Sequence, residues 1–114
     1  MNYMKYTVAA IILCGLTFHA VAADVPPASA EFRAKITKEY MGVCIKGIED
    51  KPDLRALYSH KTVETFCTCR QRYRADVLAQ AIKNDQRGKA VLDRAADYSQ
   101  EKCVHILLNN LEQE

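Results

Sequence analysis

The stretch ETFCTCRQRYR, residues 64–74, determines how the rest of the chain is arranged. Successive residues of an α-helix are rotated by about 100°, so Cys67 and Cys69 point about 160° apart around a helix. On a helical wheel they flank the apolar sector in which Phe66 and Tyr73 lie. Two cysteines placed in this way face two different neighbouring elements. The spacing therefore predicts a central helix that is cross-linked to one helix on each side.

The partners available to this pair are Cys44 and Cys103, upstream and downstream of it. In an up-down bundle the end of the first helix, the start of the second and the end of the third lie at one level, and all four cysteines lie near such ends. Two pairings remain open, Cys44–Cys67 with Cys69–Cys103 or Cys44–Cys69 with Cys67–Cys103, because the handedness of the bundle decides between them. A bond between Cys67 and Cys69 is disfavoured, since it closes a strained ring and breaks the helix.

Apolar residues recur at three- and four-residue steps over three long segments. The pattern predicts helices from Ala30 to about Glu49, from about Lys61 to Ile82 and from about Val91 to Leu111. Ser29 is the expected N-cap of the first helix, and a short helical turn is expected over Leu54 to Tyr58. We therefore predict an all-α fold, a small three- to four-helix up-down bundle cross-linked by two disulfides and preceded by a cleavable signal peptide.

The chain of 114 residues has five cysteines, and its N-terminal segment explains this odd count. Lys5 precedes an apolar run from about Tyr6 to Phe18, and alanines follow the run, as in a secretory signal. The run is shorter than the about 20 residues that a membrane span requires, so we expect no stable membrane anchor. Cleavage near Ala22 or Ala23 would remove Cys14 and release a periplasmic or secreted protein with four cysteines, which pair readily in an oxidising compartment.

The mature chain is expected to consist of a lead and one domain. Residues 24–30 are rich in proline, alanine and serine, which predicts a flexible lead, and residues 31–114 are predicted to form a single helical domain. A domain this small buries only about 60 to 65% of its unfolded surface. Disulfides that contribute about 2 to 4 kcal/mol each are therefore a sufficient structural reason for all four cysteines.

The composition and motifs narrow the range of functions. Sixteen basic and 14 acidic residues give a formal net charge of +2, which argues against a nucleic-acid ligand. We find no nucleophile elbow, no histidine pair at metal-binding spacing and no glycine-rich phosphate loop. We accordingly predict a non-enzymatic protein with no catalytic residues, no metal site and no cofactor.

Arg70 lies within the apolar sector of the central helix, where a charged group must be paired or must reach water. One interpretation is an ion pair with an acidic residue of the third helix, such as Asp97 or Glu101. The other is an exposed recognition surface, since arginine and tyrosine are enriched at binding hot spots and tyrosine supplies amphipathic contact area. The predicted partner-binding residues are Arg70, Tyr73, Arg74 and Tyr58.

The order of these features resembles that of a set of small periplasmic helical proteins of proteobacteria, mostly of unassigned function. The resemblance consists of a signal peptide, one cysteine on a first helix, Phe66-Cys67-Thr68-Cys69 on a second and one cysteine near the C-terminus. Helical, disulfide-linked periplasmic proteins of this size include immunity proteins, which plug the active site of a secreted effector, and small acid-stress chaperones. The diagnostic residues of these two families do not map onto this chain.

The sequence therefore favours a non-enzymatic periplasmic binding protein. The specific expectation is an inhibitor or immunity-like module that binds another periplasmic or secreted protein through a helical face or through the loop of residues 50–59. The alternative hypothesis is a thiol redox or copper-handling protein that uses Cys67 and Cys69. The two hypotheses differ in whether these cysteines are free thiols.

Overall fold

The computed structural model describes residues 24–113, and the predicted signal peptide, residues 1–23, lies outside the described residues. Within the described part, the chain forms four α-helices and no strand: α1 (Ala30–Glu49), α2 (Pro52–Leu57), α3 (His60–Lys83) and α4 (Lys89–Gln113). The predicted all-α, three- to four-helix fold is confirmed. The three long helices begin and end within two residues of the positions that the apolar pattern indicates.

Serine side chains start two of the long helices. The Oγ of Ser29 accepts a hydrogen bond from the backbone N–H of Phe32 at 3.1 Å, which confirms the expected N-cap of α1. Ser59 caps α3 in the same way and accepts from the N–H of Thr62 at 3.2 Å. Each cap satisfies a backbone donor that has no partner inside its helix, so these positions fix where α1 and α3 begin.

The turn between α3 and α4 depends on two residues with positive φ. Asp85 has φ 51° and Gly88 has φ 98°, and glycine adopts this region without steric cost. The N–H of Gln86 donates to the carbonyl of Ala81 at 2.8 Å, which closes the end of α3. The chain therefore reverses direction over residues 84–88, so that α4 runs antiparallel to α3.

Helix α3 is the centre of the fold, with α1 and α4 packed on different sides of it. Disulfides join Cys44 of α1 to Cys67 and Cys103 of α4 to Cys69, with Cα separations of 5.8 and 5.9 Å. The sequence left two pairings open, and the structure has the first of them. A buried cluster surrounds these bonds, and its fully or almost fully buried members are Val63, Phe66, Cys67 and Cys103.

The lead before α1 has no regular secondary structure but lies hydrogen-bonded on the bundle. The N–H of Ala28 donates to Oδ1 of Asp76 at 2.8 Å, and the N–H of Val25 donates to the hydroxyl of Tyr98 at 2.9 Å. Arg33 of α1 donates to the same carboxylate through Nε at 2.9 Å and Nη2 at 2.7 Å. Asp76 is 2% exposed, so one buried carboxylate ties the lead and α1 to α3.

Candidate functional site

A groove between α1 and α3, on the side of the Cys44–Cys67 bond, gathers the positive charges that the sequence singles out. We call it the arginine groove; its volume is about 300 Å³. Helix α3 contributes Arg70, Gln71 and Arg74, which recur at the three- and four-residue steps of one helix face. None of the described residues that line it is acidic. Its remaining members are Tyr40, Val43, Cys44, Gly47, Ile48 and Lys51.

Both guanidinium groups are held over aromatic rings. The Cζ atom of Arg70 lies 5.8 Å from the ring centre of Phe66, and that of Arg74 lies 5.4 Å from the ring centre of Tyr40. Such cation–π contacts are worth about 0.5 to 1 kcal/mol near a surface and hold a flexible side chain in one orientation. The two charges are thus positioned before any ligand arrives.

Neither arginine has a compensating negative charge among the described residues. Their Nε atoms are buried and have no hydrogen-bond partner, and both side chains are partly buried. Burial, together with the positive charge of Arg74, lowers the pKa of Arg70 from its ordinary value. A negatively charged ligand in the groove would reduce the repulsion between the two side chains.

The ion pair considered for Arg70 does not form, which corrects that interpretation. Asp97 and Glu101 are exposed on α4, whereas Arg70 lines the groove that opens toward α1. On the wheel, Arg70 lies between the directions of Cys67 and Cys69, so it borders both neighbouring helices. The wheel gives the direction of a side chain but not the positions of carboxylates on the next helix. In the structure the guanidinium group of Arg70 contacts the ring of Phe66, on its own helix.

The four predicted partner-binding residues do not form one surface. Arg70 and Arg74 line the arginine groove, but Tyr73 packs edge-on against Tyr98 of α4, with ring centres 5.9 Å apart. Tyr58 is half-buried and packs against the core cluster. The arginines therefore form the candidate site, and the two tyrosines take part in packing between elements.

Gln71 was not selected from the sequence, and Lys51 was included only as part of the predicted binding loop of residues 50–59. Gln71 is 1% exposed and its Oε1 atom has no hydrogen-bond partner in the described part of the molecule. It follows Cys67 by four residues, and residues four apart share a helix face, so the cysteine could have indicated that Gln71 faces α1. Lys51 lies in the short connection after α1, where periodicity gives no information.

A second groove lies at the other end of the bundle, near the turn between α3 and α4. Its volume is about 530 Å³ and it is lined mainly by apolar side chains of α1, α3 and α4. Ile82 and Leu92 there are 68% and 55% exposed. This groove offers apolar surface. None of the described residues that line it has a buried polar atom without a partner, in contrast to Arg70 and Arg74.

Known proteins give no independent indication of function. Comparison of the chain with models of protein families, with curated proteins and with solved structures gave no match. Over residues 24–113, no helix combines the length and the hydrophobicity needed to cross a bilayer. The two disulfides indicate an oxidising compartment outside the cytoplasm.

Proposed function

We propose that the mature chain is a non-enzymatic binding protein, an inhibitor or immunity-like module that binds another periplasmic or secreted protein. The observation that carries the proposal is a pair of partly buried arginines, Arg70 and Arg74, in the groove between α1 and α3. Neither has a counter-charge among the described residues. Removing a cation from water without a counter-charge destabilises the folded state. Its retention is understandable if a partner supplies the opposite charge.

The residue types of the groove support a protein partner. Arginine and tyrosine are enriched at the centres of protein interfaces, where a few anchoring residues provide most of the binding energy. Arg74 stacked on Tyr40 presents such a pair on one face, with the exposed side chain of Val43 beside it. The partner surface that fits this groove carries a carboxylate next to apolar groups.

The compartment is part of the proposal. A signal peptide cleaved near Ala22 or Ala23 would deliver the chain to the periplasm or the medium, where both disulfides are stable. The mature chain would then begin close to Asp24, whose carboxylate pairs with Lys102 of α4. The hydrogen-bonded lead would therefore form the N-terminus of the released protein.

The test is capture of a partner from the periplasmic and secreted fractions of the source cells. Immobilised wild-type protein should retain a specific protein, and the double variant R70Q/R74Q should lose it. The matched control is R72Q, because Arg72 is exposed on the same helix and lines a different groove, with Arg33 and Thr68. Retention should weaken as the salt concentration rises, since charge pairs near a surface are screened.

Equal retention by wild type and R70Q/R74Q would contradict the proposal. So would a wild-type protein that retains nothing specific at any salt concentration. Where the wild type alone retains a specific protein, that protein is purified and its activity is measured with and without this chain. An immunity-like module should inhibit it.

The thiol hypothesis makes a separate prediction. Cys67 and Cys69 are bonded to different partners, so a dithiol at these positions requires reduction of both disulfides. We expect the native protein to resist alkylation and to have a mass about 4 Da below its reduced form, because two disulfides lack four hydrogens. Rapid labelling of Cys67 or Cys69 in the native protein would instead support the redox or copper-handling role.

A further inference from the structure

The arginine groove contains an acceptor as well as donors. The Oε1 atom of Gln71 is buried and has no hydrogen-bond partner among residues 24–113, although the side chain borders the groove. A buried carbonyl left unsatisfied costs about 1 to 3 kcal/mol. A simple anion such as a sulfate ion would pair with the arginines but has no donor for Gln71, so the complementary ligand carries both a negative charge and an N–H group.

The donors of the groove match a carboxylate. Arginine binds carboxylates through two parallel hydrogen bonds, and these charge-assisted bonds are about twice as strong as neutral ones. Lys51 at the edge of the groove adds a third positive charge. In the described residues these three groups are not engaged by any carboxylate of the chain itself.

The size and lining of the groove favour the end of a chain. Its volume of about 300 Å³ equals that of roughly ten water molecules at about 30 Å³ each, which suits one or two residues. Val43 and Ile48 provide apolar contacts for a side chain. A terminal residue carries its carboxylate and its amide N–H on the same Cα atom, so one residue supplies both groups that the groove lacks.

We infer that the arginine groove binds the C-terminal carboxylate of a peptide chain. Arg70 and Arg74 donate to the carboxylate, and Gln71 accepts a hydrogen bond from the amide N–H of the last residue. The inference rests on the proposed function, of which it specifies the partner group: a free C-terminus rather than an internal acidic side chain.

The experiment titrates the ¹⁵N-labelled mature protein with N-acetyl-leucyl-leucine and, separately, with its C-terminal amide. The backbone amide of Gly47 reports on the groove, and that of Gly88, at the turn between α3 and α4, serves as a remote reference. The free acid should shift the Gly47 signal saturably and leave Gly88 in place. The amide should bind at least about tenfold more weakly, the effect of losing a charge-assisted hydrogen bond.

Variants assign the contacts. R70Q and R74Q should each weaken binding of the acid by about tenfold or more, while R72Q stays within about twofold of wild type. Gln71→Leu should weaken binding of N-acetyl-leucyl-leucine but leave the affinity for acetate unchanged, because acetate has no N–H group. Thermal unfolding of each variant shows that a loss of binding is not a loss of folding.

Equal binding of acid and amide, or no shift of Gly47 by the acid at millimolar concentration, would overturn the inference. An unchanged affinity in Gln71→Leu would remove the role of the amide N–H. If the peptide acid fails while capture of a partner still depends on Arg70 and Arg74, the proposed function stands and the partner group is a different one. If the acid binds but no protein is captured, the groove chemistry stands and the protein-binding proposal fails.

Discussion

Helix α3 carries a buried acid, Asp76, and a pair of arginines, Arg70 and Arg74, which differ in whether another side chain neutralises their charge. Asp76 is 2% exposed and accepts three hydrogen bonds, two from Arg33 and one from the backbone of the lead. Arg70 and Arg74 are partly buried on the same helix, and in the described part of the chain their guanidinium groups contact aromatic rings but no carboxylate. Asp76 is fully paired within the fold, whereas these arginines have no counter-charge among residues 24–113.

The pKa values of Arg33 and Arg70 reflect the same contrast. The hydrogen bond with Asp76 raises the pKa of Arg33 above its ordinary value, so pairing favours its charged form. Burial and the charge of Arg74 lower the pKa of Arg70. Pairing inside the chain therefore separates a structural arginine from the two that we assign to binding, and variants of each kind should affect different measurements.

Loss of either disulfide should have the largest effect on stability. The bonds close segments of 23 and 34 residues, for which the loss of chain entropy in the unfolded state corresponds to about 3 to 4 kcal/mol each. Urea denaturation of Cys44→Ala/Cys67→Ala and of Cys69→Ala/Cys103→Ala measures this. Only the first pair borders the arginine groove, through Cys44, so only the first variant should also weaken peptide binding. Equal binding losses in both would mean that the groove depends on the whole bundle.

Asp76→Asn should destabilise the fold by about 3 kcal/mol. The substitution replaces one carboxylate oxygen by an NH₂ group that faces the donors of Arg33. It removes the negative charge and one of the two hydrogen bonds from Arg33. The value lies at the low end for buried pairs because the Arg33 side chain is 22% exposed. Asp97→Asn, at an exposed acid of α4, is the matched control and should change the free energy of unfolding by less than about 0.5 kcal/mol.

Ala28→Pro should destabilise the fold by about 1.5 kcal/mol, because proline removes the N–H that donates to Asp76. Val25→Pro removes the N–H that donates to the uncharged hydroxyl of Tyr98 and should cost about 1 kcal/mol. Both are measured as urea denaturation midpoints of the mature chain. A lead that does not stabilise the bundle would give no change in either variant.

The sequence predicted the scaffold better than the site. The opposed directions of Cys67 and Cys69 follow from helix geometry alone, and both neighbours of α3 lie where this geometry puts them. The choice between the two pairings depends on the handedness of the bundle, which is a property of tertiary packing. Periodicity placed Arg70 within the apolar sector of α3, and one of the two interpretations of this position, an ion pair with α4, is wrong.

The buried polar residues were missed for a related reason. Asp76 follows Cys69 by seven residues and Gln71 follows Cys67 by four, so each shares a helix face with a cysteine that contacts a neighbouring helix. A polar residue on such a face is informative only once its partner is known. The partners of Asp76 are Arg33, 43 residues away, and a backbone N–H of the lead. Single-sequence patterns do not contain these long-range contacts.

The smallest effect on stability should come from the arginines of the groove. In R70Q/R74Q the loss of two ring contacts, worth about 0.5 to 1 kcal/mol each, opposes the relief of burying two like charges. The free energy of unfolding in urea should therefore stay within about 0.5 kcal/mol of wild type, while binding of the peptide acid is lost. A destabilisation of more than about 2 kcal/mol would show that these arginines hold α1 on α3, as Arg33 does through Asp76. Arginines that matter for binding and hardly for folding are what an interface, rather than a core, requires.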